Sequence, residues 1–118
     1  MSKTILRSLV FFIFCLTSTL SIAAEEGIAS YYSDVFQGKK TASGSVYDRN
    51  KMTAAHKTLA FGTKVKVTDL KNNKSVIVTI TDRGPHSKKR IVDLSYAAAE
   101  EIGLVKAGLS KVRMEVIE

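Results

Sequence analysis

The chain has 118 residues, of which 45% are hydrophobic, 25% charged and 8% aromatic. That length holds one domain with at most a short appendage, and 7 Gly with 1 Pro exclude collagen, as the apolar content excludes a disordered chain. Eighteen Lys and Arg against 11 Asp and Glu leave a net charge of +7, which attracts polyanions without naming one.

The first segment reads as an address. Lys3 and Arg7 form a basic start, Leu9 to Leu16 is an unbroken apolar run, and small residues around Ala23 and Ala24 precede the charged pair Glu25-Glu26. This is the order of a secretory signal, read here as residues 1–24 and cleaved after Ala23 or Ala24, with the mature domain at 25–118. The competing reading is a retained anchor, for which the uncharged stretch from Ser8 to Ala24 is at the short end of a bilayer span. The one cysteine, Cys15, follows the bulky Phe14 and belongs to the apolar run, so no lipid anchor is expected. An exported protein of the periplasm or cell envelope follows. The mature chain keeps no cysteine and must hold itself by its core alone. Its basic clusters, Lys39-Lys40 and Lys88-Lys89-Arg90, lack interleaved aromatics, which argues against nucleic acid.

The mature chain reads as short strands and turns with one short helix. Gly27 to Tyr32 suits a first strand, and Ser33 to Asn50 is turn-rich, with Gly38 and Gly44 as punctuation. Lys64 to Thr68 alternates polar and apolar residues. Ser75 to Thr81 is β-branched and reads as a well-buried strand. Lys71 to Lys74 makes a hairpin turn between them. Ser95 is the predicted N-cap of the helix, Leu94, Ala98 and Ile102 its apolar stripe, and Gly103 its end. Lys111 to Glu115 alternates again and closes the chain as a strand. Many short strands with one small helix predict a mainly β fold, a small barrel or a compact α+β unit.

Few residues offer chemistry. Asp82 ends an apolar strand just before the turn Arg83-Gly84-Pro85, where a carboxylate serves either as an acid/base or as a cap of the turn. His56 follows small residues and reads as a structural histidine, Asp48 as a turn residue, His86 as solvent-facing and Asp93 as a helix-start residue. No histidine pair has metal-ligand spacing, and no phosphate-binding, dinucleotide or nucleophile-elbow motif is present, so neither metal nor cofactor is expected.

Several segments together resemble the rare lipoprotein A (RlpA) family of septal-ring lytic transglycosylases. They are Gly27–Tyr32, Phe36–Gly38, Thr41–Gly44, Tyr47–Asp48, Met52–His56, Leu59–Thr63, Asp82–Pro85 and Arg90–Ser95, in family order and spacing. The resemblance implies a six-stranded double-psi β-barrel and a monomer. It implies Asp82, Asp48 and His56 as catalytic residues, and Tyr32, Thr41, Ser45 and Arg83 as substrate contacts. Ser45 stands where the family has Glu, Tyr31 where it has Trp, and Ser33 where it has Gly. The family's lipid-bearing cysteine and its peptidoglycan-binding repeat domain have no match in this sequence.

The implied activity is non-hydrolytic cleavage between N-acetylmuramic acid and N-acetylglucosamine in peptidoglycan strands, with strands lacking stem peptides as the favoured substrate. One acid protonates the leaving oxygen, then as a base takes the proton of the muramic 6-hydroxyl, which closes a 1,6-anhydro ring. Because the nucleophile is already attached, proximity replaces the second carboxylate that a hydrolase needs. Asp82 takes this role, with Asp48 and His56 supporting it. A second reading is an expansin-like module that binds wall polysaccharide without cutting it. A third is a secreted interaction protein using only the barrel.

Overall fold

A computed structural model describes residues 24–118. The leader read at 1–24 lies outside the described residues except for Ala24, which opens the first strand. Six strands run in the order β1 (Ala24–Tyr31), β2 (Thr53–Ala55), β3 (Lys64–Asp69), β4 (Ser75–Asp82), β5 (Arg90–Leu94) and β6 (Ser110–Val116). They close into a barrel of ring order β1-β5-β2-β4-β3-β6. β1 with β5 and β2 with β4 are parallel, and the other four pairs are antiparallel. Parallel pairs need crossover connections, which is why the chain from Tyr32 to Met52 leaves the sheet before β2 enters it. Among the described residues no helix is long and apolar enough to cross a membrane.

One face of each strand fills the barrel. Val65 and Val67 of β3, Val78 and Ile80 of β4, Val92 and Leu94 of β5, and Val112 of β6 are all sealed from solvent. On one face β4 corrects the expectation of a well-buried strand, because Ile77 points outward at 51% exposure. A closed barrel buries only alternate residues, so a continuous β-branched run still has a wet side. β1 begins three residues before the predicted Gly27, where Ala24 to Glu26 pair with β6. Gly27 is needed there for close packing, since a Cβ would lie 2.6 Å from Ile91 Cγ2.

The hairpin turn forms as predicted. Asp69 Oδ1 accepts from the Lys71 and Asn72 amides at 2.8 and 3.3 Å. The helix α1 (Tyr96–Glu101) starts at Ser95, whose hydroxyl accepts from the Ala98 amide at 3.2 Å. The expected single helix is in fact two. Gly103 adopts φ 76°, ends α1, and turns the chain into α2 (Leu104–Ala107). That turn inserts Leu104, fully buried, into the same core as Ala98 and Ile102. Leu104→Ala should therefore cost about 2–5 kcal/mol of stability. A thermal melt checks this, with an expected Tm drop of about 10 °C or more.

Candidate functional site

Two register shifts build the site. Ala54 lies opposite Ile80, but Ala55 lies opposite Asp82, so Thr81 is skipped. Likewise Ile28 lies opposite Arg90 and Ala29 opposite Val92, so Ile91 is skipped. A one-residue slip turns a side chain to the other face of a sheet. In regular alternation Asp82 would share the inward face of Ile80, which has no exposed surface. The shift at Thr81 instead turns Asp82 out into a cleft.

The result is a row across four strands. Ser30 is level with Asp93, Asp93 with Ala55, and Ala55 with Asp82. All four line one open cleft of about 600 Å³. Two strand spacings separate the backbones of the two aspartates, about 10 Å, and the short side chain of Ala55 leaves the floor between them open.

Asp82 is held by three donors. Oδ1 accepts from the Ala42 amide at 2.8 Å and the Arg83 amide at 2.9 Å. Oδ2 accepts from the Tyr32 hydroxyl at 2.5 Å. A carboxylate oxygen has two acceptor positions, so Oδ1 is filled and Oδ2 keeps one beside the phenol. Burial, and next the hydrogen bond to Asp82, push the Tyr32 phenol well above its ordinary pKa. Tyr32 is thus a fixed O–H donor at physiological pH. Its ring stacks on Tyr47 at 4.4 Å and meets Phe36 edge-on at 5.7 Å. Tyr47 is buried, which raises its own phenol, and its oxygen accepts from the Tyr96 amide at 3.1 Å. Phe36, 45% exposed at the cleft wall, leaves an apolar surface for a ring-shaped ligand.

The other predicted residues fall into two groups. Tyr32 and Arg83 line the cleft with Asp82. Arg83 is pinned rather than free: Nη1 donates to the carbonyls of His56 and Leu59 at 3.2 and 2.8 Å, and its plane lies over Phe61. His56, Asp48, Thr41 and Ser45 are not brought into the cleft. The buried His56 ring accepts at Nδ1 from the Thr58 and Leu59 amides, both at 3.1 Å, which leaves Nε2–H to donate to Glu25 at 3.0 Å. Its backbone N–H, by contrast, donates to the Asp82 carbonyl at 3.1 Å. Asp48 accepts from the Asn50 amide at 2.9 Å, a turn contact. Thr41, Ser43 and Ser45 join their hydroxyls in a triangle of 2.9 Å contacts. That triangle shapes the loop that aims the Ala42 amide at Asp82.

Asp93 departs from its expected place at a helix start: it lies in β5, accepts from the Ser30 hydroxyl, and stands 3.7 Å from Arg90 Nε. The signal was present, since Val92 and Leu94 are buried and Asp93 alternates between them. His86 is exposed, as predicted, yet it sits on the cleft rim. Among the described residues no group of three His, Cys, Asp or Glu converges as a metal site.

The closed six-stranded barrel with its two parallel pairs is a double-psi β-barrel, and solved structures of that shape agree. A Streptomyces papain inhibitor superposes with TM-score 0.67 at 20% identity, covering 81% of this chain and 96% of that one. An expansin of Clavibacter michiganensis gives 0.65 at 23%, covering 81% and 51%. A mutant Clavibacter expansin in complex with cellohexaose gives 0.64 at 20%, with the same coverage. At such identities these show the fold alone. The chain belongs to the lytic transglycolase family, whose profile matches residues 24–114. It is 56% identical over 93 residues to the endolytic peptidoglycan transglycosylase RlpA of Haemophilus influenzae, covering 79% of this chain and 32% of that protein. The RlpA of Vibrio cholerae is 54% identical over 93 residues, with 79% and 35% covered. The chain thus spans about a third of the length of these relatives.

Proposed function

We propose that the protein is an endolytic peptidoglycan lytic transglycosylase, which cuts between N-acetylmuramic acid and N-acetylglucosamine and leaves 1,6-anhydro-muramic ends. The observation that carries this reading is Asp82, whose Oδ2 has one free acceptor position turned into an open cleft beside an obligate phenol donor. Asp82 in its acid form gives its proton to the leaving glycosidic oxygen. The resulting carboxylate takes the proton of the muramic 6-hydroxyl as that oxygen closes on the anomeric carbon. The proton count is unchanged and no water enters. Tyr32 holds Oδ2 in line, and the fixed amides of Ala42 and Arg83 receive the charge on Oδ1. Asp93, across Ala55, faces the positive charge that develops on the sugar ring. His56 and Asp48 are positioning residues in this reading, His56 through the backbone bond that fixes the end of β4.

The site works in the cell envelope on peptidoglycan strands, in wall remodelling and separation of daughter cells, as a monomer exported through its leader. In this reading strands without stem peptides are the preferred substrate. The test is incubation of the purified protein with peptidoglycan, with and without stem peptides, followed by mass spectrometry. Anhydro-muramic products from the wild type are the expected result. Binding in a pull-down without such products is the expansin-like alternative, which the carboxylate-free Ser45 favours.

Ser45→Glu offers a separate measurement. A carboxylate at 45 enters the hydroxyl triangle of the loop that aims the Ala42 amide at Asp82. Turnover should rise by about threefold or more. An unchanged rate of product release would show that position 45 is peripheral.

A further inference from the structure

A second cavity of about 350 Å³ lies beyond Arg90, walled by Ile28, Ser87, Lys89, Arg90, Leu109 and Ser110. Arg90 lines both this cavity and the cleft of Asp82, and the neighbours His86 and Ser87 divide between them, so the two adjoin at Arg90. We propose that this cavity is the subsite for the free lactyl carboxylate of a muramic acid residue in the bound strand. The inference rests on the peptidoglycan reading above.

Three features carry it. The wall holds two cations, two hydroxyls and no carboxylate, so it offers charge to an anion away from the two aspartates of the cleft. It also holds apolar surface where solvent would not call for it, with Leu109 55% exposed beside Ile28. The lactyl branch is small, carries one methyl and one carboxylate, and satisfies both. Sugar hydroxyls and acetamides are neutral and leave the cations without a partner. Finally, Arg90 Nε is buried with no hydrogen-bond acceptor, its nearest carboxylate oxygen being Asp93 Oδ1 at 3.7 Å. A buried donor left unpaired in a folded protein calls for an explanation. A small rotation toward an arriving carboxylate gives the guanidinium edge a bidentate partner. When a stem peptide is attached the carboxylate becomes an amide, and the subsite loses its counter-charge. Preference for peptide-free strands then has a physical cause at Lys89 and Arg90.

The experiment compares peptide-free strands with the same strands whose lactyl carboxylates have been converted to methyl amides. For the wild type, amidation should raise KM about tenfold and leave kcat nearly unchanged. Lys89→Ala should raise KM on the free-acid strand several-fold and leave the amidated strand unaffected, whereas Leu109→Ala, which removes the wall against the methyl that both strands carry, should raise KM on both. Both residues are exposed, so their melting curves should match the wild type. Arg90→Gln should erase the discrimination. A wild type indifferent to amidation, or a Lys89→Ala variant that loses equally on both strands, would overturn the proposal. If the wild type forms no anhydro product from any strand, the parent reading fails instead. Isothermal titration with the two strands then reads the subsite directly, and equal affinities overturn it.

Discussion

Asp82→Asn removes formation of anhydro-muramic product by about 10²–10⁴-fold, the range for loss of a general acid–base group, while the protein still melts cooperatively. The substitution is close to isosteric. Asparagine oxygen can still accept from the Ala42 and Arg83 amides, which hold Oδ1 at 2.8 and 2.9 Å. Its amide nitrogen then faces the Tyr32 oxygen, which accepts as readily as it donates. What is lost is a transferable proton at the position that faces substrate. A pull-down on peptidoglycan should show the variant bound and inactive. Wild-type rates in the variant would remove Asp82 from the reaction, and the cleft would be left as a binding surface. Asp82→Glu sharpens the test. One extra methylene drives the carboxyl out of its three-donor socket, so a partly active Glu variant points to proton chemistry rather than to shape.

Parts of the fold were legible because they rest on local physics. The β3–β4 hairpin follows from alternating and β-branched residues around a polar turn, and α1 from a serine cap, three alanines and a terminal glycine. β2 was not legible. Thr53 to Ala55 has no pattern of its own and becomes a strand because β4 and β5 offer ladder partners on both sides. The outward turn of Ile77 and the second helix are likewise set by closure of the barrel, not by propensity. At the site, Asp82 was legible as a carboxylate ending an apolar strand. Its neighbours in the row were not, because Ser30, Ala55 and Asp93 come from three other strands aligned through two register shifts. His56 shows the reverse: a motif residue whose ring, in this structure, is spent on a local amide pair and Glu25.

Asp93→Asn follows from that row and should lower turnover by about 10- to 100-fold with little change in KM, as expected when a charge that faces the transition state is removed. The reasoning is electrostatic. Bond cleavage builds positive charge on the sugar ring, and the cleft otherwise presents cations: Lys40, Arg83 and Arg90 all border it. One carboxylate is committed to the proton. A second, two strands away and held by Ser30, offsets the cations where the ring must sit. Asparagine retains the hydrogen bond from Ser30 and the strand pairing, so β5 and its core residues Val92 and Leu94 stay in place. The charge alone is changed. It also releases Arg90 from its ion pair, so binding of peptide-free strands should hold or tighten while turnover falls. A split in that direction, read from kcat and KM on one substrate, separates a transition-state role from a structural one. Equal losses of kcat/KM through weaker binding would place Asp93 with the residues that merely shape the cleft.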